Sequence, residues 1–309
     1  MKRCIVALAL LLLPTACGPG ADAERRADEE YLAGRFPSAY ARYRDAVAVS
    51  GEARLWAKAG AAAARDGQFS AAIEAYQRLS ADPMRRAEAA DGLADVASRA
   101  RRAGDGSALR SALMALSQLA PGRPVGGLAL ALARDGAMDA GSATRFLPSA
   151  LAVAPDGAVF DSLLLAYAGI MADRNACEEA AWAFGGVARR SREVATVDSA
   201  RRGLARCALA EGQAAADPIR ADRWLARAAA AGGESEVARQ ALLLLGRARM
   251  RQGDPIGAAI AWQRTIDLGS ASDSLGVAAA EHLATLAALD TVPVIPGDTT
   301  LDSTRTIKE

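Results

Sequence analysis

The sequence predicts an all-α protein, an α-solenoid in which helical hairpins stack one after another along the chain. Hydrophobic residues make up 51% of the 309 residues, aromatic residues make up only 5%, and glycine-centred helix–turn–helix patterns recur. An apolar content carried largely by alanine favours closely packed helices over a sheet of β-branched and aromatic strands. A single hairpin of this kind cannot bury its apolar face, so several hairpins must stack to form a core.

The charge balance gives no reason to expect a nucleic acid partner. Lysine and arginine together number 37 and aspartate and glutamate number 36, which leaves a formal net charge of +1. Such a balanced chain lacks the overall basic surplus of a nucleic-acid-binding domain. The basic residues are almost all arginine, which fits either a genome-wide bias or selection for bidentate carboxylate and phosphate contacts.

The first 16 residues have the layout of a secretory signal peptide. Lys2 and Arg3 give a basic start, and the apolar run from Cys4 to Leu13 is too short for a stable transmembrane anchor. Small residues then precede Cys17. We therefore expect residues 1–16 to be removed from the mature protein.

The segment LPTAC, which ends at Cys17, resembles the lipobox of bacterial lipoproteins. That resemblance implies cleavage before Cys17, a diacylglycerol on its sulfur and a membrane attachment through the lipid. Pro14 departs from the pattern, because an aliphatic residue is usual at that position. Gly18 in place of aspartate implies, by similarity to enterobacterial sorting, the periplasmic face of the outer membrane. The alternatives are a secreted soluble protein and an inner-membrane anchor.

The remaining chain divides into three segments. Residues 17–23 are expected to form a short tether, and residues 24–290 to form the helical repeat domain. Residues 291–309 contain the proline and polar residues of a disordered tail.

The clearest hairpin pattern surrounds Gly67, and it combines small and aromatic residues at fixed offsets. Its members are Trp56, Gly60, Phe69, Ala72 and Tyr76, with Pro83 at the end. This pattern resembles the tetratricopeptide repeat (TPR), a helix–turn–helix of about 34 residues. Similar patterns surround Gly34 and Gly253, and weaker ones recur elsewhere in the chain.

The centres of these patterns are expected to be the turns of about seven TPR-like hairpins. They are Gly34, Gly67, Gly104, Gly136, Asn175, Gly212 and Gly253, spaced by 32 to 41 residues. Small residues should let paired helices approach closely, and aromatic residues should fill the space between hairpins. The small residues are Gly60, Ala72, Gly246 and Ala258, and the aromatic ones are Tyr43, Tyr76, Phe184 and Trp262. The resemblance implies a right-handed superhelix, which a helix over residues 275–289 would cap.

The TPR resemblance also implies a binding groove, because the first helix of each hairpin lines the concave face in that family. Ten arginines fall at or near this face: Arg54, Arg65, Arg101, Arg102, Arg123, Arg134, Arg202, Arg206, Arg247 and Arg251. Such a groove would favour acidic peptides or a C-terminal carboxylate. The competing interpretation is a solvated arginine-rich face.

Two cysteines within the repeats are candidates for a disulfide. Cys177 should lie early in the second helix of one hairpin, and Cys207 late in the first helix of the next. These helices should be antiparallel neighbours, so a disulfide could form in an oxidising envelope. The alternative is a pair of small buried thiols.

No catalytic, metal-binding or cofactor-binding pattern stands out in the sequence. His282 is the single histidine, and neither a phosphate-binding glycine loop nor a zinc-type cysteine cluster occurs. Glu234-Ser235 is similar to the Glu-Ser pair of lytic transglycosylases, but the surrounding motif of that family is missing. We therefore expect no enzyme activity, no cofactor, no metal and no small-molecule substrate.

These expectations combine into a non-enzymatic lipoprotein scaffold that binds other envelope proteins through a concave groove. The layout is loosely similar to the helical-repeat lipoprotein of the outer-membrane β-barrel assembly machinery. One alternative is an accessory binding protein of peptidoglycan synthesis or hydrolysis. Another is a degenerate transglycosylase-like enzyme.

Overall fold

The computed structural model describes residues 19–290, which are all-α and contain fifteen α-helices and no strand. The chain divides into two compact units, with the boundary between Pro155 and Asp156. The first unit contains four helical hairpins. They are α1 (Pro19–Leu32) with α2 (Phe36–Ser50), α3 (Arg54–Arg65) with α4 (Phe69–Leu79), α5 (Arg86–Ala103) with α6 (Gly106–Leu119), and α7 (Gly126–Arg134) with α8 (Ala140–Leu151).

The second unit contains three hairpins and a final helix. The hairpins are α9 (Ala158–Asp173) with α10 (Cys177–Arg190), α11 (Val194–Ala214) with α12 (Pro218–Gly232), and α13 (Glu236–Arg251) with α14 (Pro255–Asp267). The final helix, α15 (Ser274–Asp290), packs on α14 and α13. Within each unit every helix packs on its sequence neighbours, and hairpins stack as in an α-solenoid. The predicted fold class is therefore confirmed, including the seven TPR-like hairpins and the capping helix.

Six of the seven predicted turn centres have the left-handed backbone conformation that commonly ends an α-helix. Each has a positive φ, between 61° and 81°: Gly34, Gly67, Gly104, Gly136, Asn175 and Gly253. Glycine adopts this region without a steric penalty, and asparagine tolerates it better than most residues. Several following helices are then started by a side-chain cap, such as Asp105 on α6 and Asp254 on α14.

The prediction that Gly212 is the seventh turn centre is wrong. Gly212 is a buried residue inside α11, which continues to Ala214. A Cβ at this position would lie 2.6 Å from Leu225 Cγ, so the glycine serves the close approach of α12. At the turn itself, Asp217 is the N-cap and Pro218 begins α12. A turn of this kind needs no residue with a positive φ.

The core is built from alanine, leucine and a few aromatic rings, as the sequence indicates. Tyr43, Tyr76, Phe184 and Trp262 are all less than 10% exposed. The Tyr76 ring lies against the backbone of α3 at Gly60, where a Cβ would meet the ring at 2.9 Å. Glycine and alanine at such positions let a large ring contact a neighbouring helix directly.

Some of the predictions lie outside the described residues. These are the signal peptide at residues 1–16, the lipid attachment at Cys17 and the tail at residues 291–309. Helix α1 begins at Pro19, inside the predicted 17–23 tether. Of the helices between residues 19 and 290, none has the length and hydropathy to cross a bilayer.

Candidate functional site

The first helices of the first unit line a cavity of about 440 Å³. Ala57 and Ala61 on α3 and Gly92 on α5 contribute small side chains to its lining. Three tyrosines, Tyr31, Tyr43 and Tyr76, surround these positions. The small residues leave the space open, and the rings supply apolar surface for a side chain of a bound peptide.

A network of four charged side chains lies at the edge of this cavity. Arg54 Nη2 donates a hydrogen bond of 2.6 Å to Glu24 Oε2, which joins α3 to α1. Lys58 Nζ lies 2.8 Å from both Glu24 Oε1 and Asp28 Oδ1. The Tyr43 hydroxyl donates to Asp28 at 2.5 Å. Arg54, a predicted groove arginine, is thus already neutralised by a carboxylate of the preceding hairpin.

The pKa values of this network agree with its pairing. The hydrogen bond from Arg54 is the main reason that the pKa of Glu24 is lowered to about 2. Burial would lower the pKa of Lys58, but its hydrogen bonds to Asp28 and Glu24 outweigh that effect and raise it. Burial and the hydrogen bond to Asp28 raise the pKa of Tyr43. Glu24, Arg54 and Lys58 therefore stay charged at neutral pH.

A second cavity on the first helices, of about 590 Å³, has a different electrostatic character. It lies between α5 and α7 and is lined by Arg101, Leu130, Arg134 and Asp135, among others. Within residues 19–290 neither Arg101 nor Arg134 forms an ion pair. Two guanidinium groups thus share a cavity with one carboxylate, which favours binding of an anion.

The other predicted groove arginines of the first unit have partners within the protein. The Arg65 guanidinium lies 5.8 Å from the centre of the Tyr31 ring. Arg102 donates to the carbonyl oxygen of Ser98 on its own helix. Arg123 precedes α7 in the chain and pairs with Asp91 at 2.6 Å. Among the predicted groove arginines of the first unit, Arg101 and Arg134 are thus the pair without an ion pair that lines one cavity.

The predicted groove arginines of the second unit do not form one cluster with carboxylate-binding geometry. Arg206 lines a cavity of about 260 Å³ that also contains Asp173. Arg247 Nε donates to His282 Nε2 at 3.0 Å. Arg202 donates to Ser199 Oγ on the same helix, and Arg251 is exposed at the end of α13.

The two repeat cysteines lie next to each other, as the antiparallel arrangement of α10 and α11 requires. Cys177 Sγ and Cys207 Sγ are 2.8 Å apart, and both residues are free thiols in the structure. Burial raises the pKa of Cys207 to about 12, and the interaction with the Cys177 thiol contributes in the same direction. The disulfide stays a prediction, because this geometry suits both a reduced pair and a bonded one.

Two of the residues in the weak catalytic patterns, His282 and Ser235, have structural roles. The His282 ring stacks on Trp262 with a centroid distance of 4.8 Å. Ser235 is the N-cap of α13 and accepts a hydrogen bond from the Ala238 amide, while Glu234 is exposed in the preceding turn. In the described part of the chain, no group of three or more histidine, cysteine or acidic side chains is placed to hold a metal.

Sequence reasoning missed one prominent residue, Trp182. Its side chain is 61% exposed on α10, next to arginines of α12. A signal was available, because Trp182 lies two positions before the buried Phe184 and therefore on a different face of the helix. A tryptophan on the outer face of a repeat helix is a candidate binding residue.

The solved structures that resemble this chain do so only weakly, with low sequence identity and low TM-scores. No protein-family model matches the chain, and no curated protein sequence matches it. Yeast Tom70 has 12% sequence identity and a TM-score of 0.33, and the match covers 90% of this chain and 55% of that one. A tetratricopeptide repeat protein from Parabacteroides merdae has 15% identity and a TM-score of 0.29, with coverage of 87% and 98%. The TPR2AB domain of yeast Sti1 in its pHSP90 complex has 14% identity, a TM-score of 0.32 and the same coverage. The TPR-like fold is assigned from the hairpin geometry described above.

Proposed function

We propose that the protein is a non-enzymatic scaffold that binds acidic segments or C-terminal carboxylates of other proteins on the first helices of its first unit. The observation that carries this proposal is the cavity in which Arg101 and Arg134 have no ion-pair partner within residues 19–290. A guanidinium group binds a carboxylate through two parallel hydrogen bonds, which makes this pair suited to a peptide carboxylate.

The neighbouring cavity gives the proposed site a second recognition element. Helix α5 contributes Arg101 to the basic cavity and Gly92 to the tyrosine-lined one. A peptide that lies along the first helices could place a carboxylate at the arginines and an apolar side chain among Tyr31, Tyr43 and Tyr76. Combining a charged and an apolar contact is the usual way in which such grooves obtain specificity.

Replacing Arg101 and Arg134 together with glutamine is expected to weaken binding of an acidic C-terminal peptide by at least about tenfold. Each charge-assisted hydrogen bond contributes about 1.5–3 kcal/mol, and about 1.4 kcal/mol corresponds to a tenfold change in affinity. The measurement is isothermal titration calorimetry with a peptide that ends in glutamate residues and with its C-terminally amidated, glutamine-substituted counterpart.

The matched control is the double variant Arg26→Gln/Arg86→Gln, which removes two exposed arginines of the same unit that form no ion pair in the described structure. It carries the same change in net charge and should bind the peptide like the unaltered protein. Equal weakening in both double variants would assign the effect to overall charge and contradict the proposed site.

We further propose that the protein acts in the bacterial envelope, attached by a lipid on Cys17 to the periplasmic face of the outer membrane. The support for this location is the N-terminal sequence, with its short apolar run and the LPTAC segment. A lipid anchor there would hold the helical repeats near the membrane surface, because few residues separate Cys17 from α1.

The variant Cys17→Ser is expected to move the protein from the membrane fraction to the soluble fraction. Stable anchoring needs two or more lipid chains, and the substitution removes the atom that would carry them. Fractionation should be combined with mass spectrometry of the mature N-terminus. An unacylated Cys17 in the unaltered protein would contradict the lipoprotein proposal and favour a secreted soluble protein.

The partner class can be identified by crosslinking in envelopes followed by detergent extraction and mass spectrometry. Recovery of β-barrel proteins and their assembly factors, lost in Arg101→Gln/Arg134→Gln, would support a role in outer-membrane assembly. Recovery of wall enzymes with the same arginine dependence would instead indicate an accessory role in peptidoglycan metabolism.

A further inference from the structure

The second unit carries a cavity on its second helices that the proposed groove does not include. It has a volume of about 480 Å³ and lies between α10 and α12. Its lining combines two tryptophans, Trp182 and Trp224, with arginines of α12. A cavity of this size accommodates one or two side chains of a partner.

The two tryptophans hold one arginine between them. The Arg227 guanidinium lies 4.9 Å from the centre of the Trp182 ring and 5.4 Å from the centre of a Trp224 ring. Its Nη2 atom donates to the carbonyl oxygen of Ala181 at 3.1 Å. Gly185 provides the room, because a Cβ there would lie 2.7 Å from the same nitrogen. Arg227 is thus fixed in place by contacts that leave its charge without a carboxylate.

The carboxylates near the cavity are already engaged. Glu178 pairs with Arg220 at 3.0 Å. Asp217 accepts hydrogen bonds from the backbone amides of Ile219 and Arg220 as the N-cap of α12. Both side chains therefore have partners that compete with any further cation, and they do not neutralise Arg227.

At this cavity, three guanidinium groups have no carboxylate partner within residues 19–290. They belong to Arg189, Arg223 and Arg227. Burial lowers the pKa of Arg227, and the charge of the neighbouring Arg189 lowers it further. Like charges held together beside an exposed tryptophan form a favourable place for an anionic group that brings apolar surface with it.

We infer that the cavity between α10 and α12 is a second docking site, which binds an acidic peptide segment of a partner protein. A carboxylate of the segment pairs with Arg223 and Arg227, and an adjacent apolar side chain packs on the exposed Trp182 ring. Tryptophan and arginine are the residues that most often dominate the free energy of protein association. This site is formed by the second unit alone and does not depend on the groove of the first unit.

The test uses the full-length protein in detergent and an N-acetylated hexapeptide in which glutamate and leucine alternate. Because Trp182 is exposed, its fluorescence should change saturably as this peptide binds. Arg223→Gln should weaken that binding at least tenfold. Trp182→Ala should weaken it by a similar factor in calorimetry when it is made in the Arg101→Gln/Arg134→Gln background, which removes the proposed first-unit site. Arg223 is exposed and forms no ion pair within residues 19–290, so its replacement should leave the helical circular dichroism spectrum unchanged.

Two controls separate this site from overall charge and from the first unit. Arg264→Gln removes an exposed arginine without an ion pair from another second helix, α14, and should leave the fluorescence titration unchanged. Arg101→Gln/Arg134→Gln should also leave it unchanged, even if the proposed groove is wrong. Equal affinity for the glutamine–leucine peptide, or an unaltered titration in Arg223→Gln, would overturn the inference. Binding to anionic phospholipid vesicles in preference to the peptide would overturn it as well.

Discussion

Replacing Trp262 with alanine is expected to lower the free energy of unfolding by about 3–5 kcal/mol, the range for truncating a large buried aromatic side chain. Trp262 is 3% exposed, and its ring covers Gly246 on α13. Its indole Nε1 donates to the Leu243 carbonyl oxygen at 3.1 Å, and the His282 ring of α15 stacks on the indole. The substitution would therefore loosen α13, α14 and α15 together.

The measurement is denaturant unfolding followed by circular dichroism, with Trp182→Ala as the matched control. Trp182 is 61% exposed, so its removal should change the free energy of unfolding by no more than about 0.5 kcal/mol. The same chemical change is thus made at a buried and at an exposed position. Similar losses in the two variants would contradict the packing role assigned to Trp262.

The Trp262–Gly246 contact also shows what the sequence could predict. A small residue at a fixed offset from a turn glycine, followed by a ring at another fixed offset, marks two helices that touch. Gly60 with Tyr76 and Gly246 with Trp262 fit this rule, and both contacts are present. These pairs could be predicted because they lie within one hairpin, where helix geometry alone determines which residues meet.

The turn between α11 and α12 does not lie where the spacing of the repeats predicts it. Here the helix extends past Gly212 to Ala214, and an aspartate N-cap followed by proline starts the next helix. The glycine was assigned to the turn because it fitted the expected spacing. Its actual role depends on Leu225 of the opposing helix, and residue spacing does not encode that contact.

The candidate site was only partly predictable for a similar physical reason. The TPR resemblance predicts that the arginines lie at or near the concave face, but it gives no information about their partners. Arg54 is neutralised by Glu24, thirty positions earlier, whereas Arg101 and Arg134 have no ion pair in the described structure. Pairing of this kind is set by packing between hairpins, so it required the three-dimensional arrangement.

Oxidation of Cys177 and Cys207 to a disulfide is expected to raise the free energy of unfolding by about 3–4 kcal/mol. The sulfurs are 2.8 Å apart and 30 positions apart in sequence. In the chain-entropy account, crosslinking a segment of that length removes this much conformational freedom from the unfolded chain. The bond would also fasten α10 to α11, and so hold the hairpin that carries Trp182 to the next one.

The experiment exposes the folded protein to oxidised glutathione, which accepts two electrons and is released as two reduced glutathione molecules while the protein thiols lose two protons. Attack by Cys207 should be slow, because burial and the interaction with Cys177 raise the pKa of Cys207 to about 12 and little of its thiolate is present. Peptide mapping should detect the Cys177–Cys207 link, and denaturant unfolding should show the gain in stability.

The variant Cys207→Ala provides the control, because it keeps Cys177 but cannot form the bond. Its unfolding should be the same before and after treatment with oxidised glutathione. If both thiols of the unaltered protein remain titratable after prolonged oxidation at pH 8, the disulfide prediction is wrong. Cys177 and Cys207 would then act as two small packing residues between α10 and α11, and partner binding by the second unit would be independent of the redox state of the surroundings.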